Sequence, residues 1–291
     1  MNKDEILAAL QKEVEGYNKI VATKEGDWIV KGFIDIYKQI YTISVDTKVV
    51  SKVIELLLIP ALEKFAYEND LDLVLPPQQN FYPDLTFISR DTGEKFTVDI
   101  KSTVKDNKNR IKSMTLGAFT GYFRTRDSTK NATYPYGEYS AHLVLGVIYS
   151  QIDKKPDEKA IYSVDELEQI ESVIKDFQFF VQPKYKIASA TPGSGNTKNI
   201  GSVKSITKLI NGQGIFASLG EEVYDNYWMF YLTKDMAKEI GIERPYTDLK
   251  SYLEYKQVGI DVLEKNKQQI LKFQEEELKE EIETEEIGNE E

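Results

Sequence analysis

Two short runs of alternating apolar and polar residues, LTFIS at 85–89 and KFTVDIKST at 95–103, stand either side of Asp91-Thr92-Gly93-Glu94. Alternation at period two, broken by a Gly-containing turn, is the pattern of an antiparallel hairpin, so the chain is committed to a sheet here. With Thr92 and Gly93 as the turn residues, Asp84 faces Lys101 and Thr86 faces Asp99. Residues two apart on a strand share a face, so Asp99 and Lys101 point the same way and Asp84 joins them. A three-residue loop would move the register by one and weaken that convergence. Partly buried carboxylates repel each other and lose hydration, so they call for a cation, and an all-oxygen donor set suits magnesium. Glu55 is a third candidate acid, because it interrupts Ile54 and Leu56-Leu57-Leu58 where an apolar residue would be simpler. Taken singly, these residues also fit a structural Asp-Lys pair beside an exposed helical Glu.

The remaining pattern surrounds this hairpin with helices. Apolar residues at helical spacing (Ile6, Leu7, Leu10, Val14, Tyr17) predict a helix over 4–21, and Asp46 or Thr47 can cap a second one reaching about Tyr67. The apolar run at 140–152 reads as a central strand or a buried helix, and 177–188 as a further strand. The Gly/Ser/Asn/Thr-rich segment 191–202 reads as a loop too polar to pack. Helical pattern resumes at 221–232, where Trp228, Tyr224, Tyr227 and Phe230 form an aromatic face that suits packing. It returns at Tyr246 and runs into the Glu-rich end. There is neither an internal repeat nor a linker. The expected organisation is one α/β domain over 1–262, with its catalytic core at about 46–228, followed by an acidic helical or disordered tail over 263–291.

Composition narrows the chemistry. Among 291 residues there is no Cys, which removes thiol nucleophiles, iron-sulfur clusters, Cys-zinc sites and disulfides. A single His, His142, excludes binuclear His metal sites, and any Ser-His-Asp triad would have to use it. It opens an apolar run beside Tyr139 and reads as packed and hydrogen-bonded. The net charge of −11 argues at first against nucleic acid, but residues 271–291 hold ten Glu against Lys272 and Lys279, which leaves only −3 on residues 1–270. Residues 101–130 carry eight basic side chains against Asp106 and Asp127, and 184–208 carry five lysines and no acid, so two local basic segments could meet a polyanion. The amino terminus has no apolar core of the signal-peptide kind, and the apolar stretch 54–62 is short and contains Glu55 and Pro60. The expectation is a soluble, cytoplasmic protein without membrane partners.

Pro83-Asp84, then fourteen residues, then Asp99-x-Lys101 resembles the signature of the PD-(D/E)xK nuclease superfamily. DTKVVS at 46–51 with Glu55 beyond it, PPQQNFYPD at 76–84, VDIKST at 98–103, TLGAFTGYFR at 115–124, TKNATYPYGEYSAH at 129–142 and GSGNTKNIGS at 193–202 then follow in one order. Together they resemble the EcoRV-like type II restriction endonucleases. That resemblance implies an α/β (α+β) core with a central mixed β-sheet flanked by helices. It implies a homodimer that hydrolyses double-stranded DNA at a palindromic site, GATATC with a blunt central cut, using magnesium, with manganese as a substitute. A cognate methyltransferase is expected in the host. By position, Asp84 and Asp99 would hold the metal, Lys101 would orient or activate the attacking water, and Glu55 would serve an auxiliary metal position. Gln78, Gln79 and Asn80 match a minor-groove loop. Gly193, Ser194, Gly195, Asn196, Thr197, Lys198 and Asn199 match a base-reading loop. Thr103, Thr120, Lys130, Thr47 and Lys48 match phosphate contacts. Asn pairs bidentately with adenine, and loop glycines let backbone groups approach base edges. Lys198 and Gly121 depart from the family pattern, which leaves individual contacts open. The segment is no Walker loop, since it lacks the GK[ST] ending, and Lys198 stands where GxGxxG needs its third glycine. A repair or junction nuclease of the same superfamily, and a DNA-binding protein without cleavage, are the competing readings.

Overall fold

The computed structural model describes residues 1–106, 108–112, 114–153, 156–193 and 198–256. Its first half contains α1 (Lys3–Val14), α2 (Asn18–Val21), β1 (Gly32–Ile34), β2 (Gln39–Thr42), α3 (Thr47–Glu68), β3 (Leu71–Val74), β4 (Leu85–Ser89), β5 (Lys95–Val104) and β6 (Thr115–Ala118). The second half adds β7 (Tyr139–Gln151), β8 (Ile161–Ser163), β9 (Ile174–Pro183), α4 (Lys184–Ile187), β10 (Ala188–Pro192), β11 (Asn199–Ser202), α5 (Ile206–Asn211), α6 (Ile215–Leu219), α7 (Glu221–Phe230), α8 (Lys234–Glu239) and α9 (Leu249–Lys256).

Local chemistry sets the helix ends. Asn2 opens α1 with a capping box, its side chain accepting from Asp4 and Glu5 while Glu5 returns a bond to the Asn2 N–H. The single helix expected over 4–21 is broken instead. Gly16 and Tyr17 turn back onto Glu13 and Val14, which carries the Tyr17 ring into the core before α2 begins. Asp46 caps α3 through Lys48 and Val49, and the helix buries Val50, Ile54, Leu58 and Leu62 on one stripe.

The main sheet has the order β3-β4-β5-β7-β9, with β5 and β7 parallel and the other neighbours antiparallel. The run at 140–152 is therefore strand β7. Its buried middle, 143–149, carries no charged or polar-headed side chain except the Tyr149 hydroxyl, because a central strand covered on both faces has no polar side to show. The hairpin forms, but its register differs from the expected one by two residues: Thr86 pairs with Thr97 rather than Asp99, and Leu85 with Val98. The turn is Arg90 to Gly93, closed by Gly93 N–H to Ser89 O at 2.8 Å and Ser89 N–H to Glu94 O at 2.9 Å. Extended by one residue, this register sets Asp84 across from Asp99, not Lys101. A shift of two preserves side-chain parity, so the shared face survives.

Two apolar layers sandwich this sheet. Ile6, Leu10, Ile54 and Leu58 of α1 and α3 pack on the face of Phe96, Val98, Leu143 and Leu145. The opposite face, with Val144, Ile148 and Phe180, meets Leu209, Phe216, Tyr227 and Trp228. The aromatic face expected on α7 thus lies in the core, except that Phe230 is 44% exposed.

Two expectations for the region after β9 are corrected. The strand expected over 177–188 ends at Pro183, because α4 turns the chain away. The segment 191–202 has strands at both ends, and β10, β11 and β6 form a second sheet. Its polar residues pack because Gly201 has no side chain: a Cβ there would lie 2.7 Å from Thr191 O and 2.9 Å from Ser189 Oγ. A third small sheet joins β1, β2 and β8. Among the described residues no helix is long and apolar enough to cross a membrane. Ser194, Gly195, Asn196 and Thr197, and the tail at 263–291, lie outside the described residues.

Candidate active site

The hairpin carries its acids and lysine to one place. Lys101 Nζ lies 3.2 Å from Asp84 Oδ2 and 3.6 Å from Asp99 Oδ2. The Ile100 N–H also donates to Asp84 Oδ2, at 2.7 Å, so two donors of strand β5 hold the same carboxylate oxygen. The Asp84 and Lys101 side chains are about one-quarter exposed, whereas that of Asp99 is only 4% exposed. Burial is the strongest influence on the Asp84 carboxyl and raises it above the usual carboxylate range. Lys101 pulls it back and Asp99 pushes it further up. For Lys101, burial acts to lower the ammonium, but Asp99 and Asp84 outweigh it and hold the pKa above the ordinary lysine value. The lysine is therefore a cation throughout the physiological range.

Behind these groups lies a polar network that the sequence pattern did not single out. Lys184, 2% exposed, places Nζ 3.7 Å from Asp99 Oδ2 and donates to the Tyr82 hydroxyl at 2.9 Å. Burial lowers its pKa to about 8 against the pull of Asp99. The Tyr82 hydroxyl stands 2.8 Å from His142 Nδ1 and 3.2 Å from Thr97 Oγ1. An ammonium can only donate, so the Tyr82 oxygen accepts from Lys184 and is set to give its own proton to Nδ1. Tyr122 stacks on Tyr82 with ring centroids 4.7 Å apart, and Tyr136 stacks on His142 at 3.8 Å. The local signal for this network was slight, since Lys184 reads in sequence as one more member of a basic segment.

His142 is packed and hydrogen-bonded, as expected. Burial and then Lys184 push its pKa well below 6.5. The folded protein therefore keeps a neutral ring while the unfolded chain takes up a proton below about pH 6.5. Stability should fall as the pH drops through that range, by at most about 1.4 kcal/mol per pH unit from this residue. The measurement is urea unfolding of wild type and His142→Gln at pH 7.5 and 5.5, estimates chosen to bracket the free histidine value. The stability gap between the two proteins should narrow at the lower pH. An unchanged gap would remove the histidine from the acid response.

A cleft of about 490 Å³ opens over Asp84 and is lined by Lys52, Glu55, Leu56, Pro77, Gln78 and Gln79 among others. Glu55 reaches this cleft but is engaged by Lys52 at 2.6 Å, and its influence on the Asp84 carboxyl is the smallest of those acting there. Among the described residues no three His, Cys, Asp or Glu side chains stand close enough to hold an ion as a set. Gln78, Gln79 and Asn80 are exposed. Thr47 and Lys48 are exposed at the start of α3, and Lys130 is exposed in the loop before β7. Thr120 is half-buried after β6, and Thr103 is buried on β5. Gly193 and Asn199 close the base of their loop, the Gly193 N–H donating to Asn199 O at 3.0 Å, and Lys198 O accepts from the Phe119 N–H at 3.0 Å.

Residues 24–257 match the family model described as restriction endonuclease EcoRV. The chain belongs to the EcoRV restriction endonuclease family. The type II restriction enzyme EcoRV of Escherichia coli is 36% identical over 204 residues, which cover 69% of this chain and 82% of the relative. In structure, NlaIV restriction endonuclease aligns over 88% of this chain and 90% of its own at 14% identity, with a TM-score of 0.38, a likeness too distant to bear on the site. Family membership makes the protein a type II site-specific deoxyribonuclease with DNA as its substrate. The expected class of fold, a central mixed sheet flanked by helices, is the one observed.

Proposed function

We propose that this chain is a homodimeric, magnesium-dependent endonuclease that cuts double-stranded DNA at a palindrome, GATATC, bluntly at its centre, with manganese as a substitute metal. The observation that carries this reading is the convergence of Asp84 and Asp99 on Lys101, at 3.2 and 3.6 Å, on one face of the sheet, in a member of this family.

The donor set suits the ion. Magnesium is commonly held by one or two carboxylates with substrate phosphate and water completing the shell, and Asp84, at the edge of a cleft, and Asp99, behind it, are two such carboxylates. These two residues would hold the ion. A bound divalent ion supplies charge stabilisation at the phosphate and acidifies water. Lys101 acts from the protein side: its ammonium donates a hydrogen bond that orients the attacking water and offsets negative charge developing on the phosphate. Glu55, across the cleft, serves as an auxiliary metal position.

Recognition is assigned to the loop Gly193 to Asn199, where Asn196 pairs with a base edge and the glycines admit the backbone. Gln78, Gln79 and Asn80 support the minor groove, and Thr103, Thr120, Lys130, Thr47 and Lys48 serve the phosphates. Supporting the dimer, the β1-β2-β8 sheet exposes the cross-strand neighbours Phe33, Tyr41 and Ile161, and the β1-β2 connection exposes Ile36 and Tyr37, apolar surface that a second copy would cover. A twofold dimer reads a palindrome. The endonuclease domain is assigned to 1–262 and the acidic tail to 263–291. The enzyme works in the cytoplasm beside a methyltransferase that protects host DNA.

Digestion of a plasmid bearing one GATATC site, in magnesium, tests the reading. A single linear product with blunt ends is expected. Discrete fragments from other positions would change the site and keep the reaction. A gel shift without cleavage would leave only a DNA-binding protein, and nicking confined to junctions or flaps would point to repair.

A further inference from the structure

The cluster around Asp99 contains one charge more than the proposed reaction uses. Lys101 touches both acids and is about one-quarter exposed, so it serves the water and phosphate. Lys184 is buried and cannot reach DNA, yet its ammonium lies 3.7 Å from the same Asp99 oxygen that Lys101 approaches at 3.6 Å. A buried ammonium is costly even when paired, and an apolar side chain of similar volume is often as stable or more so. A lysine kept there therefore points to a use other than stability.

The surroundings are shaped to hold this ammonium in place. Tyr82 accepts its hydrogen bond at 2.9 Å and lies beneath it, the ring centroid 4.3 Å from Nζ. Tyr82 is in turn fixed by His142, Thr97 and the Tyr122 stack. Gly117 lies against the same groups. At φ +94° it sits where L side chains are strained, and a Cβ there would crowd the Tyr122 hydroxyl at 3.2 Å and touch Lys184 Nζ at 3.7 Å and Asp99 Oδ2 at 4.0 Å.

We propose that Lys184 is a positioning residue: anchored by Tyr82, its ammonium holds the Asp99 carboxylate from the interior and weakens the site's grip on the divalent ion. This inference rests on Asp99 as a metal ligand. Two effects follow with opposite signs. Removing the charge leaves Asp99 more strongly negative toward an arriving cation, so the ion binds more tightly. Removing the anchor lets the carboxylate turn, so the bound ion is misplaced and turnover slows. A residue that merely filled the core would loosen both together.

The test uses the full-length protein and the duplex that wild type cuts. Lys184→Met should lower, about tenfold, both the magnesium concentration at half-maximal single-turnover rate and the calcium concentration at half-maximal duplex binding. The rate at saturating magnesium should fall about tenfold, by the effect of a small misplacement on a positioned reaction. Unchanged metal dependence and rate, or weaker metal binding, would overturn the proposal. Tyr82→Phe, which keeps the ring and the lysine's charge, should slow the saturated rate without tightening either metal response, and it decides the matter if Lys184→Met does not fold. An unchanged saturated rate in that variant counts against the anchor. A wild type that fails to cut in magnesium, or an Asp99→Ala that cuts normally, strikes the site assignment itself. Failure of the Lys184 and Tyr82 variants alone strikes only this inference.

Discussion

Asp99→Ala is expected to lower the single-turnover cleavage rate by about a thousandfold or more, because it removes one of two carboxylates proposed to hold the ion that stabilises the transition-state charge. The geometry explains why nothing replaces it. Asp84 is engaged by Lys101 and the Ile100 N–H, and Glu55 is engaged by Lys52 across the cleft. The variant should still shift a cognate duplex in a gel with calcium present, since the residues proposed to read bases and to contact phosphates do not include Asp99. Its melting temperature, measured alongside, separates lost chemistry from lost fold. Cleavage at the wild-type rate would remove Asp99 from the mechanism.

Trp228→Ala should cost about 3–5 kcal/mol of unfolding free energy, a large share of the roughly 5–15 kcal/mol that holds a typical native protein together. The indole is fully buried and packs against Phe119 at 5.1 Å, Tyr231 at 5.0 Å and Tyr227 at 5.2 Å. Phe119 directly follows β6, whose sheet includes the two strands flanking the proposed base-reading loop. Urea unfolding at neutral pH is the measurement. A loss below about 1 kcal/mol would mean that the aromatic cluster can collapse around the gap and contributes little.

Much of the site could be read along the chain because its acids and lysine are close in sequence. Period-two alternation places Asp99 and Lys101 on one face whatever the strand pairs with, and the error of two residues in the hairpin register left that face intact. Helix α3 was equally legible, since Asp46 and the apolar stripe that follows are local signals. Where the pattern misled, the cause was distant. The β10 and β11 strands depend on a glycine fitting against Thr191 and Ser189, and composition alone says only that such a segment is polar.

The order of residues was enough to specify the chemistry available: no thiol, one histidine, and an Asp-x-Lys strand opposite a Pro-Asp entry. Folding chose among the side chains. It buried Lys184 against Asp99 and neutralised His142 behind Tyr82. Charge type is a property of each residue, but burial and the nearest counter-charge belong to elements far apart in the chain, so they appear only once strands β5, β7 and β9 lie side by side.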